Sequence, residues 1–213
     1  MKIKKLGHCC LVIEIKGLRI MTDPGAPDYS GKTGEELDIS AVVITHEHAD
    51  HLHVDSLKKI LENNPKAIVI TNTSVGKILE NENIKYIKVE DGEDYDFNGI
   101  KISGFGSRHA DIYDDFGQVE NTGYMIEGLC YPGDSFNLPN KTVDILALPV
   151  AGPWMKIRDA IDYAKKIKPR IVLPVHDAMI KEFASFLYTI PKFFLEKENI
   201  EFKKLEIGKE EEI

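Results

Sequence analysis

Four of the seven histidines in this chain of 213 residues fall within nine positions, in the stretch THEHADHLH. The pattern they belong to is H-x-H-x-D-H, formed by His46, His48, Asp50 and His51. Imidazole suits zinc, iron or manganese, and a carboxylate adds the negative charge that a second divalent cation requires. The alternative is a solvated loop whose histidines occur by chance. Because the H-x-H-x-D-H pattern directly follows the apolar run AVVIT, typical of a buried strand, we expect a loop whose side chains diverge toward two cations.

Three further side chains with ligand chemistry each stand where a strand-like run ends. His109 follows KISGF, Asp134 follows LCYPG, and His176 ends RIVLPVH. Each of them alone is more typical of a turn or capping residue. Since strand ends on one side of a sheet layer converge on a common edge, we expect the three together to supply the ligands that the histidine-rich loop lacks.

The first half of the chain has the pattern of strands followed by alternating strands and helices. Strand-like runs are KIKKL, CLVIEI and LRIMTD, of which the last two are joined by Lys16-Gly17 as a hairpin. After AVVIT come VDSLKKILEN as a helix, AIVIT as a strand, SVGKILENE as a helix and IKYIKV as a strand. This alternation predicts strands covered by helices. FNGIKISGF predicts another hairpin, with its turn at Asn98-Gly99.

The second half repeats this organisation. TGYMIE, LCYPG, VDILALPV and RIVLPVH are strand-like. Apolar residues at helical spacing predict a helix from Ile157 to Ile167 that Pro169 ends, and another marked by Ile180, Phe183, Ala184, Leu187 and Ile190. A last strand, IEFKKLEI, precedes a terminal KEEE that we expect to be frayed. Together the elements predict one α/β domain over residues 1–213, with two sheets and outer helices.

The composition restricts the partners and the compartment. A net charge of −8 argues against a general affinity for nucleic acid or for an anionic membrane. No window approaches the roughly 20 apolar residues of a membrane span, and the N-terminal segment lacks a signal-peptide cleavage site. The cysteines, Cys9, Cys10 and Cys130, leave one unpaired in any disulfide scheme, which favours reduced thiols in the cytoplasm.

The order of these motifs resembles that of the metallo-β-lactamase fold superfamily over nearly the whole chain. The matching features are Asp23 in MTDP after the first hairpin, the H-x-H-x-D-H loop, His109, Asp134 in PGDS and His176 in PVHD. The strings LGHCCLVIE, LALPVAGPW and KPRIVLPVH are similar to those of small metal-dependent hydrolases, a branch that includes ascorbate-6-phosphate lactonase-like proteins.

The resemblance implies a four-layer αββα sandwich with a binuclear metal site at its edge. One metal would be held by His46, His48 and His109, and the other by Asp50, His51 and His176, with Asp134 bridging the two. Asp23 would support the loop through hydrogen bonds, although a turn-forming Asp before Pro24 is an equally good account of that residue. The expected cofactors are two divalent ions, zinc first, with manganese and iron as alternatives.

The chemistry implied is hydrolysis of an ester-like bond in a small molecule: a lactone, a carboxylic ester or a phosphodiester. Two dications give hydroxide from a bridging water near neutral pH, and Asp50 would orient this nucleophile. His8 is expected either to line the mouth of the site or to be a hydrogen-bonded structural residue. Arg108, in a glycine- and acid-rich segment at 106–123 that we expect to form a flap, could bind an anionic group of the substrate.

Three alternative functions fit the sequence less well than a hydrolase. A redox di-iron protein would carry a carboxylate in the loop where His48 stands, and the chain has no room for a flavodoxin-like segment. A nuclease would need a basic tract or an aromatic stripe to hold a strand, and neither is present. A non-catalytic binding protein would not need the complete set of ligands. A homo-oligomer fits the resemblance, but no interface signal in the sequence specifies one.

Overall fold

The structure, a computed structural model, describes every residue from Met1 to Ile213. Its strands form two seven-stranded sheets, each with parallel and antiparallel pairs. The chain divides into two compact units, Met1–Glu90 with Leu205–Ile213 (unit 1) and Asp91–Lys204 (unit 2). The predicted α/β class with two sheets is therefore confirmed. None of the helices is both long enough and apolar enough to cross a membrane.

Unit 1 contains the first sheet. Its strands are β1 (Lys2–Lys5), β2 (Leu11–Ile15), β3 (Leu18–Thr22), β4 (Ile39–Val43), β5 (Ile68–Thr71), β6 (Ile87–Lys88) and β14 (Glu210–Glu212). Their order is β14-β1-β2-β3-β4-β5-β6. The pairs from β14 to β3 are antiparallel, whereas β3, β4, β5 and β6 are parallel to one another. β4 therefore lies between two parallel neighbours, as its continuous apolar run predicts.

Helices cover one face of this sheet. The helical segments of unit 1 are α1 (Pro27–Ser30), a 3-10 turn (Thr33–Glu35), α2 (Val54–Asn63) and α3 (Thr73–Asn81). Apolar residues of α2 and α3 pack against every second residue of the strands; the cluster includes Leu57, Ile60, Val75 and Leu79 with Val12, Met21, Val42, Ile44 and Val69. The two main helices begin at capped residues, because His53 accepts a hydrogen bond from the Ser56 amide and Asn72 accepts one from the Val75 amide.

Unit 2 contains the second sheet. Its strands are β7 (Asp94–Phe97), β8 (Ile100–Phe105), β9 (Gly123–Ile126), β10 (Leu129–Tyr131), β11 (Ile145–Pro149), β12 (Ile171–Val175) and β13 (Glu201–Phe202). They lie in the order β13-β12-β11-β10-β9-β8-β7. Pairs from β7 to β10 are antiparallel, and those from β10 to β13 are parallel. The helices are α4 (Ile157–Ile167), a 3-10 turn (Glu182–Ala184) and α5 (Phe186–Glu196).

The predicted hairpins are confirmed. β2 pairs with β3, and β7 pairs with β8 around Asn98 and Gly99. These two turn residues have φ angles of 51° and 82°, the left-handed conformation that an Asn-Gly turn needs to match the twist of its strands.

Two details of the prediction were wrong. The terminal KEEE is not frayed, because Glu210–Glu212 forms β14 and pairs with β1 in antiparallel register. The last long helix begins at Phe186 rather than near Ile180 and continues through Pro191 to Glu196. Its buried residues are Pro191 and Leu195, while Phe183 is 82% exposed. Apolar residues lie on nearly all sides of this segment, so their spacing does not identify the face that is buried.

Candidate metal centre

The H-x-H-x-D-H loop begins at the carboxyl end of β4 in unit 1. The Ile44 amide still donates to the Ile70 carbonyl at 3.0 Å, and the chain then leaves the sheet at Thr45. Carboxyl ends of parallel strands are where α/β proteins place their sites. Of the loop residues, His46 and His51 are fully buried, and Glu47 turns away to accept a hydrogen bond from Ser74 of α3.

Asp23 organises this loop. It follows β3, has a φ of 37°, and its amide donates to the Val43 carbonyl at 3.0 Å. One carboxylate oxygen accepts from the Thr45 amide at 2.8 Å, and the other lies 2.7 Å from both the Thr45 hydroxyl and His51 Nδ1. Asp23 is fully buried, so these hydrogen bonds act in a low-dielectric environment. This is the arrangement expected of a carboxylate that supports a ligand loop.

The hydrogen bonds also fix the tautomers of two histidines. A carboxylate can only accept, so His51 Nδ1 carries the proton toward Asp23. The Thr45 hydroxyl gives its proton to Asp23, and its oxygen therefore accepts from His46 Nδ1 at 3.0 Å. In both rings the lone pair is consequently on Nε2. The His46 ring lies 4.0 Å from that of His51 and 4.8 Å from that of His48, between centroids.

The Asp50 side chain is more exposed to solvent than that of Asp23. Its side chain is 24% exposed, and its Oδ2 lies 3.3 Å from His8 Nε2 and 3.9 Å from His51 Nε2. His8 itself is buried, and its amide donates to the Tyr29 carbonyl at 3.0 Å. The position of Asp50 depends on Gly25, since a Cβ there would stand 2.0 Å from the Asp50 carbonyl oxygen. His8 is thus a buried neighbour of Asp50.

Unit 2 brings its own three candidate ligands together. β8, β10 and β12 run in the same direction in the sheet, and His109, Asp134 and His176 each follow the carboxyl end of one of them. Asp134 Oδ2 lies 3.4 Å from His109 Nε2 and 3.0 Å from His176 Nε2. Two ligand atoms of a tetrahedral ion with bonds of about 2.1 Å are separated by roughly 3.4 Å. A single carboxylate oxygen therefore stands at ligand-to-ligand distance from both histidines.

Hydrogen bonds hold His109 and Asp134 in place, and His176 has an unusual backbone conformation. His109 Nδ1 donates to the Ala110 carbonyl at 2.6 Å, which leaves the lone pair on Nε2. The Asp134 amide donates to Asn121 Oδ1 at 3.0 Å, and the Trp154 indole N–H donates to Asp134 Oδ2 at 2.9 Å. His176 has a φ of 57°, an uncommon conformation for a residue that is not glycine. Such conformations concentrate at functional sites.

Two residues have contacts that sequence reasoning missed. The Trp154 indole hydrogen-bonds to Asp134, and its ring is nearly perpendicular to those of His109 and His176, with centroids 5.9 and 5.6 Å away. His53 caps α2, because its Nδ1 accepts from the Ser56 amide. The sequence signals for these two residues are weak: Trp154 lies in the loop after β11, and His53 directly precedes α2.

Arg108 is engaged within the predicted flap. Its side chain is 66% exposed, and its guanidinium donates to Gln118 Oε1 at 2.7 Å and to Asp111 Oδ1 at 3.0 Å. Both partners belong to residues 106–123. At the tip of this segment Tyr113 and Phe116 are 74% and 73% exposed. An anionic group at Arg108 would have to compete with Asp111.

The chemistry of the donor set fits divalent metals. Unit 1 offers His46, His48, Asp50 and His51, and unit 2 offers His109, Asp134 and His176. Imidazole nitrogen with carboxylate oxygen is the combination that zinc, manganese and iron accept. Three of the imidazoles give their Nδ1 proton to a protein oxygen, as metal-binding histidines generally do to fix the ring and its tautomer.

Fold and donor set together define an α/β protein with histidine- and aspartate-lined strand ends suited to metal binding. A family model described as a beta-lactamase superfamily domain matches residues 2–176. The chain therefore belongs to the metallo-β-lactamase superfamily.

Relatives and a solved structure match this chain over most of their length. Protein Rv0786c of Mycobacterium tuberculosis is 32% identical over 196 residues, covering 88% of this chain and 89% of its own. The UPF0173 metal-dependent hydrolase Ta0764 of Thermoplasma acidophilum is 26% identical, with 83% of each chain covered. Igni18, a metallo hydrolase from Ignicoccus hospitalis, superposes with a TM-score of 0.80 at 20% identity, covering 100% of this chain and 98% of its own. The predicted metallo-β-lactamase fold is thus confirmed.

Proposed function

We propose that the protein is a binuclear metal-dependent hydrolase that cleaves an ester-like bond in a small molecule. The observation that carries this proposal is the approach of His109 Nε2 and His176 Nε2 to one oxygen of Asp134, at 3.4 and 3.0 Å. The superfamily resemblance assigns these histidines to different metals and Asp134 to the bridge between them. Relatives named as metal-dependent hydrolases support the reaction class.

The residues that would hold the metals are those of the two donor groups. His46, His48 and His109 would bind one ion, and Asp50, His51 and His176 the other, with Asp134 shared. When bound, two divalent cations, zinc first among the candidates, would supply hydroxide near neutral pH and polarise the bond under attack. Asp23 and Thr45 keep the Nε2 lone pairs of His46 and His51 available, because their oxygens occupy both Nδ1 protons.

Asp50 has the position of a residue that meets the reacting atoms. It is partly exposed, whereas Asp23 and His51 are fully buried, so its carboxylate can contact a water molecule or a substrate. His8 Nε2 lies 3.3 Å from Asp50 Oδ2, and this buried ring limits the rotation of the carboxylate. We therefore assign Asp50 to orienting the attacking nucleophile, and His8 to positioning Asp50.

The proposed substrate is a lactone, a carboxylic ester or a phosphodiester of low molecular weight. The net charge of −8 disfavours nucleic acid as the substrate. The flap at residues 106–123 carries both the candidate ligand His109 and the exposed Tyr113 and Phe116, so it is the segment that would contact substrate groups outside the metal centre.

The test combines metal analysis with a panel of reporters. Protein purified without chelator is analysed for metal by mass spectrometry and assayed on lactone, carboxylic ester and phosphodiester reporters, with and without chelator. We expect near two metals per chain and turnover that the chelator abolishes. The preferred reporter assigns the substrate class. Absence of metal and of turnover after addition of zinc, manganese or iron would overturn the proposed function.

Replacing Asp50 tests its assignment separately. Asp50→Ala, reloaded with metal, should lose turnover by about 100-fold or more, because the nucleophile is no longer oriented. The matched control is Asp55→Ala, an exposed aspartate in the first turn of α2, which should stay within about 0.5 kcal/mol of the parent in stability and should retain its turnover. Near-normal turnover of a metal-loaded Asp50→Ala protein would contradict the role given to Asp50.

A further inference from the structure

We propose that Cys9 is a thiolate ligand of the cation that His51 binds, so that this metal position contains sulfur in addition to nitrogen and oxygen. The inference rests on the proposed function, because it presumes a metal at His51. It adds a donor that belongs neither to the H-x-H-x-D-H loop nor to the ligand set expected from the superfamily resemblance. It also concerns unit 1 alone, in which Cys9, Asp50 and His51 all lie.

The thiol of Cys9 faces the metal-binding nitrogen of His51. Cys9 Sγ lies 3.6 Å from His51 Nε2, and both side chains are buried. Since His51 Nδ1 gives its proton to Asp23, the Nε2 atom presents a lone pair to the sulfur. Two electron-pair donors can face each other only with a proton or a cation between them. The thiol proton fills this role in the absence of metal, and a bound cation would replace it, releasing that proton to solvent.

The separation of the two atoms matches a shared cation. In a tetrahedral zinc site, a sulfur at about 2.3 Å and a nitrogen at about 2.1 Å lie roughly 3.6 Å apart. The donor atoms of His8, Cys9 and His51 are all within 4.8 Å of one another, and Asp50 Oδ2 is 3.9 Å from His51 Nε2. Cys9 therefore belongs to a cluster of donors and is not an isolated thiol.

The backbone around Cys9 is held in place. Cys9 lies in the connection between β1 and β2, which is closed by a hydrogen bond from the Leu6 amide to the Cys10 carbonyl at 2.9 Å. The Cys9 carbonyl accepts a hydrogen bond of 3.1 Å from the hydroxyl of Thr22, the residue that precedes Asp23. Gly7 packs against the Ser30 backbone so closely that a Cβ would stand 2.6 Å from the Ser30 Cα. The thiol is thus presented to His51 by a fixed segment, as a preorganised ligand requires.

The other two cysteines differ in their surroundings. Cys10, the next residue, points into the apolar cluster with Val12, Met21 and Leu57. Burial raises the pKa of Cys10 well above its ordinary value, and burial raises the pKa of Cys130 in unit 2 to about 12. Neither of them contacts a candidate ligand in the hydrogen bonds of the site. They serve as internal controls for the chemistry of Cys9.

A sulfur donor changes which metal the site prefers. Thiolate is a soft ligand that favours zinc, whereas a site of carboxylate and imidazole also suits manganese. We expect Cys9→Ser to weaken zinc binding by about 10- to 100-fold while manganese binding changes much less, because the hydroxyl is a hard and poorly ionised donor.

The experiment uses the full chain loaded with cobalt, whose absorption reports the ligand type. Wild-type protein and the Cys10→Ala control should show d–d bands in the visible range together with a sulfur-to-cobalt charge-transfer band in the near ultraviolet. Cys9→Ser should keep the d–d bands and lose the charge-transfer band. X-ray absorption at the zinc edge of the zinc-loaded wild type should show a sulfur shell at about 2.3 Å. This second measurement needs no variant, so it decides the question even if Cys9→Ser does not fold.

The outcomes separate the two proposals. Visible d–d bands without a charge-transfer band, and a zinc edge without a sulfur shell, would overturn the assignment of Cys9 and leave the metal-dependent hydrolase intact. A charge-transfer band that survives in Cys9→Ser but disappears in Cys10→Ala would also overturn it. Failure of cobalt and zinc to bind at all would refute the proposed function, and the role of Cys9 with it.

Discussion

Single residues in this protein act through the hydrogen bonds that orient them. Asp23 contacts Thr45 twice and His51 once, all within 2.8 Å. The carboxylate is therefore the common acceptor for two groups that set the tautomers of His46 and His51. Its negative charge also favours a cation at the far side of the His51 ring, because a charged acceptor raises the basicity of the imidazole.

Asp23→Asn should weaken metal binding while the size of the side chain is preserved. The amide nitrogen has protons of its own, so it cannot accept from the Thr45 hydroxyl and from His51 Nδ1 as Asp23 Oδ2 does. We expect zinc affinity to fall by about 10- to 100-fold in a competition titration against a coloured chelator.

Asp38→Asn is the matched control for this change. Asp38 is an exposed aspartate of the same unit that also has a positive φ, 58° against 37° for Asp23. Its replacement should leave zinc affinity unaltered. Equal affinity of Asp23→Asn and the parent would mean that the hydrogen bonds of Asp23 do not contribute to the metal centre.

Secondary-structure elements place the candidate ligands, and their positions at strand ends could be predicted from sequence. His46 and His176 follow apolar β-branched runs that the structure shows as β4 and β12, and Asp134 follows the turn after β10. Periodicity and turn chemistry identify such strand ends. The indole hydrogen bond from Trp154 to Asp134 could not be predicted, because 20 residues separate the partners and no local pattern records a contact of that kind.

The connection after β3 makes such a long-range contact with the histidine-rich loop. The Ala26 amide donates to the Ala49 carbonyl at 2.8 Å, and Gly25 has no room for a Cβ beside the Asp50 backbone. Gly25→Ala should lower the free energy of unfolding by about 1–3 kcal/mol, because the obstacle is backbone that cannot rotate away. Urea unfolding monitored by circular dichroism measures this loss, and turnover should fall with it as Asp50 is displaced.

Gly34→Ala is the matched control for Gly25→Ala. A Cβ at Gly34 would meet side-chain atoms of Lys59 at 3.0 and 3.1 Å, and the nearest backbone atom, the Ser56 carbonyl oxygen, would be at 3.9 Å, an ordinary contact distance. Its unfolding free energy should therefore stay close to that of the parent. If both variants unfold at the same urea concentration as the parent, the close approach of Gly25 to Asp50 is not a constraint on the loop.

At the scale of the whole molecule, the C-terminal segment of the chain pairs with its N-terminal strand. Unit 1 is discontinuous, since Leu205–Ile213 joins Met1–Glu90 and unit 2 lies between them in sequence. β14 pairs with β1, the Gly208 amide donates to the Lys5 carbonyl at 2.8 Å, and Leu205 is buried. A glutamate-rich pattern does not indicate a strand, because β14 depends on its pairing with β1, where Lys2 stands opposite Glu212 and forms a diagonal ion pair with Glu210.

Removing Leu205–Ile213 tests whether residues 1–213 fold as one cooperative domain. The deletion takes away the burial of Leu205 and the hydrogen bonds of β14, and should cost at least about 2–3 kcal/mol in urea unfolding. Trp154, the single tryptophan, reports on unit 2, whereas the deletion lies in unit 1. If the chain is one domain, Trp154 fluorescence and circular dichroism should shift to the same lower midpoint.

Ile207→Ser, at a residue 67% exposed in the same segment, should leave both midpoints in place. A Trp154 transition that keeps its midpoint while the dichroism of the truncated protein shifts would show that the two units unfold independently, and the single-domain prediction would then be wrong.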